Sequence, residues 1–186
     1  MNLLLTSESE VGAELAGGER LLWSGQPRQG VVFRGSDVFM IPFSLMWGGF
    51  AIFWEAGVIM SGAPLFFTVW GVPFVLVGLY MIFGRFFVDA RRRGRTFYGV
   101  TDKRVIIVSG ALSRKVKSMN LRTLSDLLLS ERGDGSGTIT FGARHPMDWW
   151  LGGTTWPGMP EMSPAFELIA DARGVYEVIR DAQAKA

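Results

Sequence analysis

Apolar residues are concentrated in one stretch, residues 38–84, in which Glu55 is the only charged residue before Arg85. A small, helix-breaking SGAP turn divides this stretch into residues 38–60 and 64–84. Each half approaches the roughly 20 residues that a helix needs to cross the hydrocarbon core of a membrane. The pattern predicts a hairpin of two transmembrane helices. A hairpin buried in a soluble core is disfavoured, because a chain of 186 residues has little protein to cover both helices.

Basic residues flank the apolar stretch on both sides and are missing from the turn in its middle. The positive-inside rule therefore predicts a multi-pass protein of the cytoplasmic (inner) membrane with both termini in the cytoplasm. We expect residues 1–36 to form a cytoplasmic N-terminal segment and residues 37–88 to form the hairpin. Four arginines after the hairpin are candidate membrane-surface residues: Arg91, Arg92, Arg93 and Arg95. They are expected either to bind anionic lipid headgroups or only to fix the topology.

Residues 95–183 carry mostly β-strand signals and predict a separate domain. A polar TDK corner joins FYGV to RVIIVS, and the Asp-Gly pair in GDGS favours a hairpin turn because glycine supplies positive φ. Ser163 and Pro164 predict the start of a C-terminal helix, since serine caps helices and proline fits the first helical position. Apolar residues at helical spacing between Leu168 and Ile179 continue that helix. We expect a small antiparallel sheet capped by one helix.

The TDK corner carries side chains that fix turns. Thr101 and Asp102 are expected to accept hydrogen bonds from nearby backbone N–H groups. Arg104 starts the next strand and is expected to pair with Asp102 or with a neighbouring carboxylate. The corner is therefore interpreted mainly as a folding device, with a binding loop as the alternative.

Together these segments resemble a known family. YGVTDKRVIIVSG, followed by a basic strand, a leucine-rich strand, GDGSGTITFG and a terminal helix, is similar to the bacterial pleckstrin-homology-like (PH domain-containing) membrane proteins. GERLLWSGQP, upstream of the hairpin, also resembles that family, so the likeness covers residues 18–183. It implies a membrane-anchored α+β protein with a β-barrel-like sheet, a capping helix and no established activity. The basic strand supplies further candidate binding residues: Arg114, Lys115, Lys117 and Arg122.

Composition argues against several classes of function. The chain has no cysteine and a single histidine, His145, so it lacks the residues for a thiolate nucleophile or a multi-histidine metal site. A G-x-S-x-G nucleophile elbow is also missing, and we expect no enzyme activity, no cofactor and no metal. The net charge of +2 gives no reason to expect a nucleic-acid partner.

A tryptophan-rich stretch, residues 145–160, is the candidate interaction loop. It contains Trp149, Trp150 and Trp156 among glycines and prolines, a composition typical of a long irregular loop. The three rings are expected to contact the headgroup region, to cover an open end of the sheet, to bind a partner or to fill the domain's own core.

The favoured hypothesis is a non-enzymatic, membrane-anchored PH-like module. It binds a protein segment, lipid headgroups or a second copy of itself at the cytoplasmic membrane face. One alternative is a small transport or channel subunit that uses Glu55, because an ionisable group within a membrane span is costly and often functional. Another is an accessory subunit of a membrane enzyme complex.

Overall fold

The computed structural model describes residues 2–110, 113–142 and 163–186, which form two compact units. One unit is Val31–Ala90, and the other combines Met1–Gly30 with Arg91–Ala186. In chain order the elements are α1 (Asn2–Gly12), β1 (Leu21–Gly25), α2 (Asp37–Met60), α3 (Leu65–Leu79), α4 (Arg85–Arg93), β2 (Thr96–Thr101), β3 (Arg104–Ser109), β4 (Lys115–Asn120), β5 (Leu127–Glu131), β6 (Gly137–Phe141), β7 (Ala165–Ile169) and α5 (Ala172–Lys185).

The unit Val31–Ala90, here called the hairpin unit, is built from two long apolar helices. A π-helical turn, Tyr80–Gly84, joins α3 to α4, so the second helix runs from Leu65 to Arg93 over 29 residues. This helix continues nine residues beyond the expected end at residue 84, because no proline follows the glycine there. By length and composition, α2 and this second helix are both able to cross a membrane.

Small side chains form the contact between the two helices of the hairpin. Gly48 on α2 and Gly78 on α3 approach so closely that a Cβ on Gly78 would lie 2.8 Å from the Gly48 Cα. Ser44 and Ala51 are buried on the same stripe of α2. Most large apolar side chains of the hairpin point outward instead; Phe53, for example, is 77% exposed. The hairpin is therefore held by close backbone packing and not by a core of bulky side chains.

The other unit, here called the β domain, contains two antiparallel sheets within its described residues. The strand order is β1-β2-β3-β4 in the first sheet and β5-β6-β7 in the second. One face of the first sheet packs with the second sheet and α5 around the fully buried Phe166. The other face is covered by α1 through Val11, which packs on Ile106 and Val108. Because both faces of β3 are covered, four consecutive residues of this strand are buried.

The expected start of the C-terminal helix is wrong. Residues 165–169 form β7, which pairs with β6, and the helix begins only at Ala172. Asp171 caps it by accepting a 2.9 Å hydrogen bond from the Gly174 N–H. Leu168, at φ 51°, lies where the register of the β6–β7 pair shifts, so the apolar residues of this strand do not alternate strictly. Phe166 and Ile169 then gain burial in the β-sheet core, and this burial outweighs the local capping signal of Ser163 and Pro164.

Candidate functional site

The TDK corner is tied to the segment that precedes β1 by a buried carboxylate. The Thr101 hydroxyl donates to Glu19 Oε1 over 2.7 Å, and it accepts from the backbone N–H of Arg104 over 2.9 Å. Arg104 donates to both oxygens of Glu19, over 2.8 Å from Nε and 2.9 Å from Nη2. The Ala16 N–H adds a fourth donor to this carboxylate. Glu19, Thr101 and Arg104 therefore form one saturated network, and the ion-pair partner of Arg104 is Glu19 and not Asp102.

Asp102 makes a different contact with the same segment. Its Oδ1 accepts from the Arg20 N–H over 3.0 Å, and its own N–H donates to the Arg20 carbonyl oxygen over 3.1 Å. These two bonds align the start of β1 against the end of β2. The corner thus joins segments that are about 80 residues apart in the sequence.

The network has a strong electrostatic consequence for Glu19. Hydrogen bonds from the Arg104 guanidinium, helped by the Ala16 N–H and the Thr101 hydroxyl, lower the pKa of Glu19 from 4.5 to about 2 against the opposing effect of burial. The same carboxylate raises the pKa of Arg104 above its usual value. Both groups are therefore charged at neutral pH, and the network is a structural joint in which each charge is compensated.

Glu19 is not among the residues predicted from the sequence, although it lies within the GERLLWSGQP segment that resembles the family. The one available signal was the pattern Thr-x-x-Arg at the corner, since a buried threonine and a strand-initiating arginine together require an acceptor. Nothing local indicates which carboxylate supplies it, because Glu19 and Arg104 are separated by 85 residues.

The arginines that follow the hairpin divide into different environments. Arg93 is 4% exposed, and its guanidinium donates to the carbonyl oxygens of Arg28 and Gly30. It therefore holds the segment that leads out of the β domain. Arg91 and Arg95 are exposed, and Arg92 is partly buried while its carbonyl accepts from the Thr96 hydroxyl.

The candidate basic strand is divided in the same way. Arg114 bridges to Glu10 and Glu14 on α1, and Arg122 donates to a main-chain oxygen of Ala186. Lys115 and Lys117 have no ion-pair or hydrogen-bond partner for their ammonium groups in the described chain. The structure thus distinguishes two anchored arginines from two available lysines.

Glu55 lies on the helix-contact side of α2 and is 8% exposed. Its carboxylate occupies the space beside Gly71 on α3, where any Cβ would overlap with Oε2. Oε2 is buried and has no hydrogen-bond partner among the described residues. A carboxyl group is therefore enclosed between the two helices.

Several further sequence predictions concern residues for which the structure gives no description. Trp149, Trp150, Trp156 and His145 all lie in residues 143–162, outside the described ranges. Within those ranges, no group of three or more His, Cys, Asp or Glu side chains is arranged to hold a metal ion.

Comparison with known proteins identifies one family. A family model described as Bacterial PH domain matches residues 45–181. The match begins within α2 and ends within α5, so it includes most of the hairpin and strands β2 to β7, whereas β1 lies before it. No curated protein and no solved structure matches the chain.

Proposed function

Because the chain belongs to the bacterial PH domain family, we propose that it is a membrane-anchored, non-catalytic binding module. Residues 37–88 span the inner membrane as a hairpin, and both termini lie on the cytoplasmic side. The β domain then works at the cytoplasmic face, where it binds a protein segment, lipid headgroups or a second copy of the chain. PH domains generally bind protein or lipid, which supports the general class of this function.

The observation that carries the proposal is the distribution of side chains in the hairpin. Its helices meet through Gly48, Gly78 and other small residues, while large apolar side chains cover the outside. Membrane helices pack in this way, because lipid solvates bulky apolar groups and leaves close backbone contact as the main attraction between helices. In water the same outer surface would have a large hydrophobic cost.

Charged residues at the base of the hairpin support the same proposal. Asp37 and Arg85 form a 2.7 Å ion pair, and Arg34 pairs with Asp89 over 3.1 Å. The helix from Asp37 to the turn at Ser61 is about 36 Å long, at 1.5 Å per residue, which suits a hydrocarbon core of about 30 Å. The ion pairs then lie at the level of one headgroup region and the turn at the other.

Two measurements on cell membranes test the anchoring. We expect the full chain to stay in the membrane pellet after extraction with alkaline carbonate, and recovery in the supernatant would exclude a spanning hairpin. The chain has no cysteine, so single reporters can be introduced without background. Ser61→Cys in the turn is expected to react with a membrane-impermeant maleimide in intact spheroplasts. The matched variant Ser130→Cys, exposed in the β domain, is expected to react only after lysis; the opposite pattern would reverse the orientation.

The enclosed carboxylate of Glu55 favours one second candidate function, a transport or channel subunit. An unpartnered acid between two membrane helices is typical of ion and proton pathways. Glu55→Gln keeps the shape of the side chain and removes its charge. Proton flux into vesicles that contain the purified chain should fall for this variant if transport is the function. Equal flux for both proteins, or flux no higher than in empty vesicles, excludes it.

A further inference from the structure

The outer edge of β4 has features that select a particular kind of partner. β4 is the last strand of the first sheet, and no main-chain hydrogen bond from another described segment reaches its free edge. Such an edge presents alternate N–H and C=O groups to which an extended chain is able to add as a further strand.

The side chains of β4 alternate in chemistry as well as in direction. Lys117 lies opposite Ile107, and Lys115 lies opposite Ser109, so both lysines are on the sheet face that carries the main core. Val116 lies opposite Val108 on the other face and is 44% exposed. Along an extended strand the two lysines are about 6.6 Å apart, the distance between alternate residues of a neighbouring strand.

The two lysines also lack charge compensation, in contrast to the basic residues on either side of them. Arg114 is neutralised by Glu10 and Glu14, whereas Lys115 and Lys117 have no carboxylate partner among the described residues. This local charge is the property that a partner would complement. From these observations we propose that β4 binds an extended protein segment with acidic residues at alternate positions and apolar residues between them.

The same charges disfavour the other candidate occupants of this edge. Pairing β4 with β4 of a second copy would bring lysines opposite lysines, and like charges directly opposite each other destabilise a sheet. A lipid phosphate is recognised by donors that converge on one point, whereas these lysines are spaced along an open backbone ladder. An acidic strand would hydrogen-bond to the free backbone groups of β4 and would also neutralise its two lysines. A protein segment is therefore the favoured occupant. This inference rests on the binding part of the proposed function and is independent of the membrane anchoring.

The test uses the full chain in zwitterionic detergent micelles and labelled hexapeptides in fluorescence polarisation. An alternating Glu-Val peptide is expected to bind more tightly than a block peptide of the same composition, because only the alternating peptide places its acids on one face of a strand. Lys115→Glu combined with Lys117→Glu should weaken this binding at least about tenfold, since two attractive cross-strand charge pairs become repulsive. The doubly substituted chain should then bind an alternating Lys-Val peptide, which also shows that it is folded.

Lys103→Glu is the matched control, because Lys103 is an exposed lysine outside β4 and should leave peptide binding unchanged. Equal binding of the block and alternating peptides overturns strand addition, and an equal loss in the Lys103 variant overturns the assignment to β4. If the alternating peptide does not bind, the inference is wrong. The two lysines then serve only to prevent pairing of the exposed edge with other strands. If glycerol phosphate displaces the peptide, and if this displacement requires the two lysines, the edge is assigned to lipid headgroups instead. Carbonate extraction is measured separately, so failure of the anchoring and failure of peptide binding are told apart.

Discussion

The hairpin unit and the β domain bury opposite kinds of side chain. In the β domain, Phe166 is fully buried and contacts the rings of Tyr98 and Phe141 at centroid distances of 4.5 Å and 4.9 Å. In the hairpin, Gly48 and Gly78 occupy the contact and phenylalanines point outward. The hydrophobic effect explains the burial of large aromatic rings in the β domain. It does not drive helices together in lipid, where close contact between small residues is favoured. The contrast fits the proposed anchoring, in which lipid surrounds the hairpin unit and water surrounds the β domain.

Buried polar groups show a second contrast between the two units. In the β domain, four donors satisfy the carboxylate of Glu19. In the described residues, every buried side-chain N or O atom without a hydrogen-bond partner belongs to the hairpin unit, on Ser36, Glu55 and Arg85. Buried polar atoms normally have hydrogen-bond partners, so the unpartnered atoms on these three residues distinguish the hairpin unit from the β domain.

The largest expected difference in stability between the two units appears when one phenylalanine is removed from each. Phe166→Ala should lower the free energy of unfolding of the β domain by about 3–5 kcal/mol, because it leaves a cavity among three other aromatic rings. Phe53→Ala in the hairpin should have little effect in micelles, since detergent fills the space. Urea unfolding of both full-length variants, followed by near-UV circular dichroism, measures the difference. Similar losses for the two variants would contradict the assignment of different solvents.

The buried ion pair of the β domain predicts how its stability depends on pH. The pKa of Glu19 is lowered from 4.5 to about 2 in the folded protein, so its contribution is complete above pH 4.5 and is lost as the pH falls toward 2. Glu19→Gln should cost about 1.5–3 kcal/mol at pH 7, the range for hydrogen bonds to charged groups. The gap in stability between wild type and variant should then narrow from pH 4.5 downward. Glu177→Gln, at an exposed position of α5, is the control and should parallel the wild type; a constant gap for Glu19→Gln would disprove the assignment.

The small-residue contact of the hairpin is tested by enlarging it. Gly78→Leu should separate α2 from α3 by roughly 2 Å, the span between tight and wide helix packing, because its Cβ alone would overlap with the Gly48 backbone. Gly49→Leu is the matched control, since a Cβ at Gly49 meets nothing within 4 Å. Spin labels on cysteines at Phe53 and Val72, both exposed, report the distance between the helices by pulsed EPR. An unchanged distance in the Gly78 variant would show that this contact does not hold the hairpin.

Features encoded by neighbouring residues were predictable from the sequence. The apolar spans and the TDK corner depend on local hydropathy and turn chemistry, and the family resemblance that these segments suggested is confirmed. The pairing of β1 with β2 was not predictable, because residues 26–95 separate the two strands and most of these residues belong to the other unit. Glu19 was not predicted for a similar reason, because it lies 85 residues from its partner Arg104 in the sequence. Residues 165–169 were misassigned for a related reason: their apolar pattern fits a helix locally, and only the partner strand β6 makes them a strand.

The smallest expected effect concerns how the helices of the two units begin. Asp171 accepts from the Gly174 N–H at the start of α5, whereas the Ser36 side chain makes no such bond at the start of α2. The first N–H groups of α2 instead donate to the carbonyl oxygens of residues 34–36. Asp171→Ala should therefore cost about 1 kcal/mol, the usual value for a lost N-cap, while Ser36→Ala should cost almost nothing. Thermal unfolding of the two variants in the same micelles measures both values. An equal loss at Ser36 would mean that its hydroxyl finds a hydrogen-bond partner beyond the described residues, and the buried polar groups of the hairpin would then not be unsatisfied.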